Sequence, residues 1–196
     1  MLLDWIVNNV WLALLVWAGL YISDYALTLR SARLYQGGSN QHVVYEKGIE
    51  LTPFYRGEIA ALRSISPRFL FMLGFSSLLL GLIWFLSQLW GPDAWLFEII
   101  IGAYLLLEVS VHMRHIRNLA YFGRMKNSQG VSGKIEYSAW LTLQISAIDL
   151  IAFAALFLIV FWLTGRPFFA GGALGCAVTG IKHWRLARKE KDPKGF

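Results

Sequence analysis

The chain has 196 residues, 57% hydrophobic and only 15% charged, against about a quarter charged in ordinary soluble domains. That balance, with 9 Trp, 13 Phe and 8 Tyr, excludes a typical soluble enzyme and points to an integral membrane protein with little chain left outside the bilayer. The net charge of +6 would suggest nucleic acid in a soluble protein, but basic membrane loops explain it better, and a single cysteine, Cys176, excludes an intrachain disulfide.

The first nine residues lack the basic start of a signal peptide; their one charged side chain is Asp4. Residues 5–28 are therefore expected to be a retained first span, with Trp5 and Trp11 as interfacial anchors. Asp24 lies near its far end, and Thr28 and Ser31 continue its stripe. A polar connection follows. Gly37-Gly38-Ser39-Asn40 is a turn, residues 43–45 are a short extended piece, and Thr52-Pro53 carries the cap-then-proline signal of a helix start. Residues 54–65 mix apolar side chains with Arg56, Glu58 and Arg63, as expected of a short amphipathic helix at the membrane surface.

Ser66-Pro67 opens a second span, 68–90, with Gly74 and Gly81 on a small-residue face suited to helix packing. Gly91-Pro92-Asp93 turns the chain into a third span, 94–115. Residues 116–137 are polar and basic, with Gly123, Gly130 and Gly133 as expected breaks. A fourth span, 138–164, carries a stripe of Thr142, Ser146 and Asp149. After Gly165-Arg166-Pro167 a fifth span, 168–184, is rich in glycine, and Gly171 and Gly175 form a GxxxG pair. The expected fold is an all-α bundle of five transmembrane helices with a short interfacial helix in the first cytoplasmic loop. The small-residue faces make a homo-oligomer or a larger membrane complex an expectation as well.

Every Lys and Arg except Arg166 falls in, or at the span end bordering, the connection after span one, the connection after span three, or the C-terminal tail. The positive-inside rule then predicts an inner- or plasma-membrane protein with its N-terminus outside and its C-terminus cytoplasmic, its basic loops against anionic lipid. Nucleic acid is not an expected partner.

The chemistry concentrates in span three. Glu108, His112 and His115 stand at i, i+4 and i+7, one face of a helix. Topology brings Asp24 to a compatible depth and puts Asp149 nearer the midplane, while Glu98 lies near the outer end of the same span. Charged groups in lipid are costly, so these should face inward. Two functional readings follow, and a third is structural. Glu108, Asp149, Glu98 and Asp24 form a relay or route for a small cation or proton, as in a channel or transporter. Alternatively Glu108, His112, His115 and Asp24 hold a divalent metal in a membrane-embedded enzyme acting on lipid or another membrane-soluble substrate at the cytoplasmic leaflet. In the third, the polar groups are interhelical hydrogen bonds in a non-catalytic accessory subunit. No phosphate-binding glycine loop, nucleophile elbow or paired cysteine accompanies them.

The charge asymmetry makes a direct prediction. A C-terminal green fluorescent protein fusion should fluoresce and a C-terminal alkaline phosphatase fusion should be inactive; the opposite pair of results would invert the topology.

Overall fold

The computed structural model describes residues 2–89, 95–127 and 132–192. The expected turn at Gly91-Pro92-Asp93, the break at Gly130 and the tail residue Lys194 lie outside these residues.

The chain is helical almost throughout. A short α1 (Leu2–Asn8) leads into α2 (Val10–Gln36). Asn9 stands between them in an extended conformation, and the Leu12 N–H donates to its side-chain Oδ1 at 3.2 Å. An asparagine N-cap thus splits what hydropathy suggests is one span starting at Trp5. The α2 helix also runs past Thr28 to Gln36, because residues 29–36 hold no proline or glycine and Gly37 supplies the stop. The helix expected over 54–65, α3, is shorter, Pro53–Ala60. It is followed by α4 (Pro67–Leu89), α5 (Trp95–Lys126), α6 (Ala139–Thr164) and α7 (Pro167–Lys191).

The α5 helix continues well beyond His115. At 32 residues it is about 48 Å long, more than the roughly 30 Å hydrocarbon core needs. Polarity ends the apolar stretch but not the helix, and Gly123 sits inside it without breaking it. Gly133 does mark a break, with a φ of 88° just before a short strand.

Among the described residues four helices, α2, α4, α5 and α6, are long and apolar enough to cross a membrane. The chain is thus an all-helical multi-pass protein in its main features. The fifth long helix, α7, is apolar and glycine-rich only in its first half; Lys182, Arg185, Arg188, Lys189 and Lys191 crowd the second. Its chief partners are α6 and α5, and α5 also packs on α2. Phe97 and Ile101 are fully buried where α5 meets α1, α2 and α7.

The opposite ends of the bundle are pinned by different devices. At one end, Arg166 donates to Glu98 Oε1 at 3.0 Å and to Asp4 Oδ1 at 2.7 Å, tying together the starts of α1, α5 and α7. At the other, β1 (Val43–Tyr45) and β2 (Ile135–Tyr137) pair in parallel, Val43 opposite Ile135. There the Ala139 N–H donates to Glu46 Oε2 at 2.8 Å, and Lys47 meets Glu190 at 2.6 Å. These strands join the connections after α2 and α5, which the sequence treats as separate loops.

The glycines of α7 are used within the chain. A Cβ on Gly171 would run into the backbone carbonyl of Ile99, and one on Gly102 into that of Phe168. On Gly175 it would come within 2.9 Å of the Ala103 carbonyl. By contrast, a Cβ on Gly74 or Gly81 would meet nothing within 4 Å. The α5–α7 contact is therefore backbone against backbone, and neither side can yield. Gly171→Ala and Gly102→Ala should each destabilise the protein by about 1–3 kcal/mol, seen as a fall of about 2–4 °C per kcal/mol in detergent melts. Gly81→Ala should leave the melt unchanged or slightly raised.

Candidate metal centre

The centre is built where α2 crosses α5. Donor atoms of Asp24, Glu108 and His112 all lie within 4.8 Å of one another, and each of the three residues is half-buried. Asp24 comes from α2 and the other two from one face of α5. A partly buried Asp/Glu/His cluster capable of holding a metal ion thus lies among the long apolar helices.

Hydrogen bonds set the orientation of each ligand. His112 Nδ1 is 2.7 Å from the Glu108 carbonyl oxygen, one turn earlier. A carbonyl only accepts, so Nδ1 carries the proton and Nε2 is the nitrogen available to a metal. Ser23 Oγ sits 2.6 Å from Nε2, and also 2.9 Å from the Leu20 carbonyl. Its single proton can point to the carbonyl whenever Nε2 is engaged elsewhere. His115, one turn below, places Nε2 3.1 Å from Asp24 Oδ1 and 3.2 Å from Thr28 Oγ1. It is buried and steadies Asp24, as supporting residues around a metal commonly do.

Glu108 Oε2 and His115 Nδ1 are buried here without a hydrogen-bond partner, and Asp24 Oδ1 has only the His115 imidazole, at 3.1 Å. Unsatisfied buried oxygens are costly, and two neighbouring carboxylates in apolar surroundings repel. A divalent cation relieves both at once. Donors bound at about 2.1 Å can be no more than about 4.2 Å apart, so rotamer adjustments of several tenths of an ångström, roughly, would close the set. One imidazole and two carboxylates suit Zn2+, Mn2+ or Fe2+.

Other sequence-selected residues fall elsewhere. Glu98 is held by Arg166 at the Asp4 end of the bundle. Asp149 pairs with Arg117 at 3.0 Å, in a separate contact between α6 and α5. Of the expected relay residues, only Asp24 and Glu108 come together.

No known protein family, curated protein or solved structure matches the chain.

The structure adds residues that sequence reasoning passed over. A cavity of about 180 Å³ beside the centre is lined by Asp24, Glu108 and His115, and also by Glu50, Arg114 and His183. Glu50 precedes α3 and accepts the Thr52 N–H on Oε1 at 2.7 Å; its approach to the centre depends on how a long connection folds back. Arg114, counted by sequence among the loop charges, donates to Ser146 Oγ at 2.6 Å across to α6. His183 reaches the same hydroxyl from α7, with Nδ1 at 3.0 Å. Tyr21 and Tyr55, 2.7 Å apart through their hydroxyls, close the α3 side. Burial pushes the Tyr55 phenol up from its ordinary pKa, so it stays protonated as a hydrogen-bonding group.

The paired carboxylates make a sign-crossing prediction. In metal-free protein, Glu108→Gln should raise the melting temperature by a few degrees, because it removes a repelling charge and the unpaired Oε2. With divalent metal added, wild type should gain stability and the variant should gain little. Melts in chelator and in metal measure both halves.

Proposed function

We propose that the chain is a metal-dependent membrane enzyme acting on a lipid or another membrane-soluble substrate. The observation that carries this reading is the convergence of Asp24, Glu108 and His112 beside a cavity, within apolar helices. Three protein donors leave coordination positions open, the arrangement of catalytic rather than structural sites. A bound divalent ion there supplies Lewis acidity and a readily ionised water. Asp24, Glu108 and His112 hold the ion, while Ser23 and His115 orient the ligands. Glu98 and Asp149 each have an arginine partner away from this centre, which favours a metal centre over an extended carboxylate relay.

In this reading α7 is a fifth membrane helix. Its basic second half lies at the same end of the bundle as the β1–β2 pair, through the Lys47–Glu190 contact. By the positive-inside rule that end is cytoplasmic, so the centre opens toward the cytoplasmic leaflet.

The test is metal content. Protein purified in detergent, stripped with chelator and reloaded should retain about one divalent ion per chain. His112→Ala and Asp24→Asn should abolish retention, and Ser23→Ala should weaken it by about 10–100-fold. Wild-type protein that takes up none of Zn2+, Mn2+ or Fe2+ would refute the proposal.

A further inference from the structure

A second cavity of about 730 Å³ lies against the metal centre. Its back wall is one face of α5, with Arg114, Arg117, Asn118, Tyr121 and Arg124 at i, i+3, i+4, i+7 and i+10. Thr28 and Ser31 of α2 form one side, and Thr142, Ile145, Ser146 and Asp149 of α6 the other. The β1–β2 pair adds Tyr45 and Tyr137, whose rings stack at 5.3 Å. Burial pushes the Tyr45 phenol up to about 12, so it faces the cavity as a neutral group.

The charges in this cavity are unevenly satisfied. Arg117 is paired with Asp149. The remaining carboxylate, Glu50, already accepts a backbone N–H. Arg114 makes one hydrogen bond, to the neutral Ser146 hydroxyl, and no contact ion pair among the described residues, with the Glu50, Asp24 and Asp149 carboxylates in its wider surroundings. The exposed Arg124 guanidinium has neither among the described residues. Two guanidinium forks thus point their chemistry at the same space from one helix, about 15 Å apart along its axis. Planar, multi-donor guanidinium is the side chain best matched to phosphate oxygens. The rest of the lining supplies an apolar wall from Val43, Ile49, Leu51 and Ile145. The volume is that of a small-molecule site and far exceeds what a bare phosphate fills.

Thr28, Glu50, Arg114 and His115 line both this cavity and the smaller one at the metal centre. The two cavities thus adjoin at these residues, and Arg114 lines the smaller one together with Asp24 and Glu108.

We propose that this cavity binds a phosphate-bearing amphiphile, with Arg114 gripping the phosphate beside the metal centre and Arg124 drawing it in along α5. The apolar wall takes the first part of the chain. This names the substrate class for the chemistry proposed above and rests on that reading for turnover; binding alone does not require the metal.

The experiment is calorimetric titration of the full-length protein in a non-ionic detergent, with chelator present. Dioctanoyl phosphatidic acid is compared with dioctanoylglycerol, sodium octanoate and inorganic phosphate. Phosphatidic acid should bind at least about tenfold tighter than each of the others, and Arg114→Gln should remove about tenfold or more of that affinity. Arg124→Gln, at an exposed position, should weaken it by about threefold or more. If Arg114→Gln does not fold, Arg114→Lys carries the same test, keeping the charge and losing the fork. Equal binding of dioctanoylglycerol would overturn recognition of the headgroup. Equal binding of octanoate would overturn phosphate as the group, and equal binding of inorganic phosphate would overturn the amphiphile. Unchanged affinity in the Arg114 and Arg124 variants together would overturn the site. Tight, arginine-dependent binding by a protein that takes up no metal would support this site and refute the metal-dependent enzyme. Metal uptake with no phosphatidic acid binding would do the reverse.

Discussion

The structure depends on how it handles carboxylates among apolar helices. An ionised side chain in such surroundings must be paired, hydrogen-bonded or bound to a cation, because no nearby water offsets its desolvation. Most of the acidic residues on the long helices meet this demand in a simple way. Glu98 takes Arg166, the residue before α7, and Asp149 takes Arg117 of α5. Asp24 and Glu108 do not. They approach each other across the α2–α5 crossing with imidazoles beside them, Asp24 meeting His115 at 3.1 Å and Glu108 keeping an oxygen without a hydrogen bond. A protein that needed these groups only as interhelical glue would more cheaply hold a serine or asparagine there. Two carboxylates facing one another make physical sense as half of a cation's coordination shell.

Such a site is useful only if α2 and α5 are held at fixed depth, and the packing provides this. On its far side α5 lies directly against the backbone of α7 through Gly102, Gly171 and Gly175. That contact has no flexible side chains to absorb sliding. At one end Arg166 ties Glu98 to Asp4, and at the other the β1–β2 pair joins the two connections that flank the site. The face of α5 that carries Glu108, His112 and His115 is thus set by contacts on its other faces. On α2, Trp17 donates to Ser76 of α4 at 3.0 Å, and Tyr25 donates to the Arg63 carbonyl at 2.8 Å.

Much of this was legible in the sequence because it is periodic or compositional. Apolar runs of spanning length mark α2, α4, α5 and α6, and the Glu108–His112–His115 stripe is a one-helix property. Asp24 could be matched to that stripe because antiparallel spans convert residue number into depth. The helix ends were less legible: Asn9 caps where hydropathy sees continuity, and α5 extends for three turns after its apolar stretch because nothing stops it. The contributions of Glu50, Arg114 and His183 were invisible for a different reason. Glu50 reaches the site through a connection whose path is set by β1 pairing with β2, some ninety residues away. Arg114 looks like a loop charge until α6 is found beside it, and His183 sits in a helix whose second half reads as a polar tail. Long-range packing of this kind leaves no periodic trace.

The division of labour on α5 follows from its length. The helix is longer than an apolar core requires, and its arginine-bearing face lies round the helix from the face that carries Glu108, His112 and His115. Glu108 and His112 lie within the apolar stretch, where a cation would be isolated from water; Arg117 and Arg124 lie one to four turns beyond, where long cationic side chains can snorkel toward the interface. Arg114 and His115 stand between the two and line both cavities. A ligand with a charged head and an apolar body would enter where cations are inexpensive and reach the metal donors where they are not. The arginines and the enclosed carboxylates lie on different faces of the same helix, and the two cavities meet at Arg114 and His115, where such a ligand would be oriented. A helix that stopped at the end of its apolar stretch would leave the carboxylates enclosed with no charged approach to them.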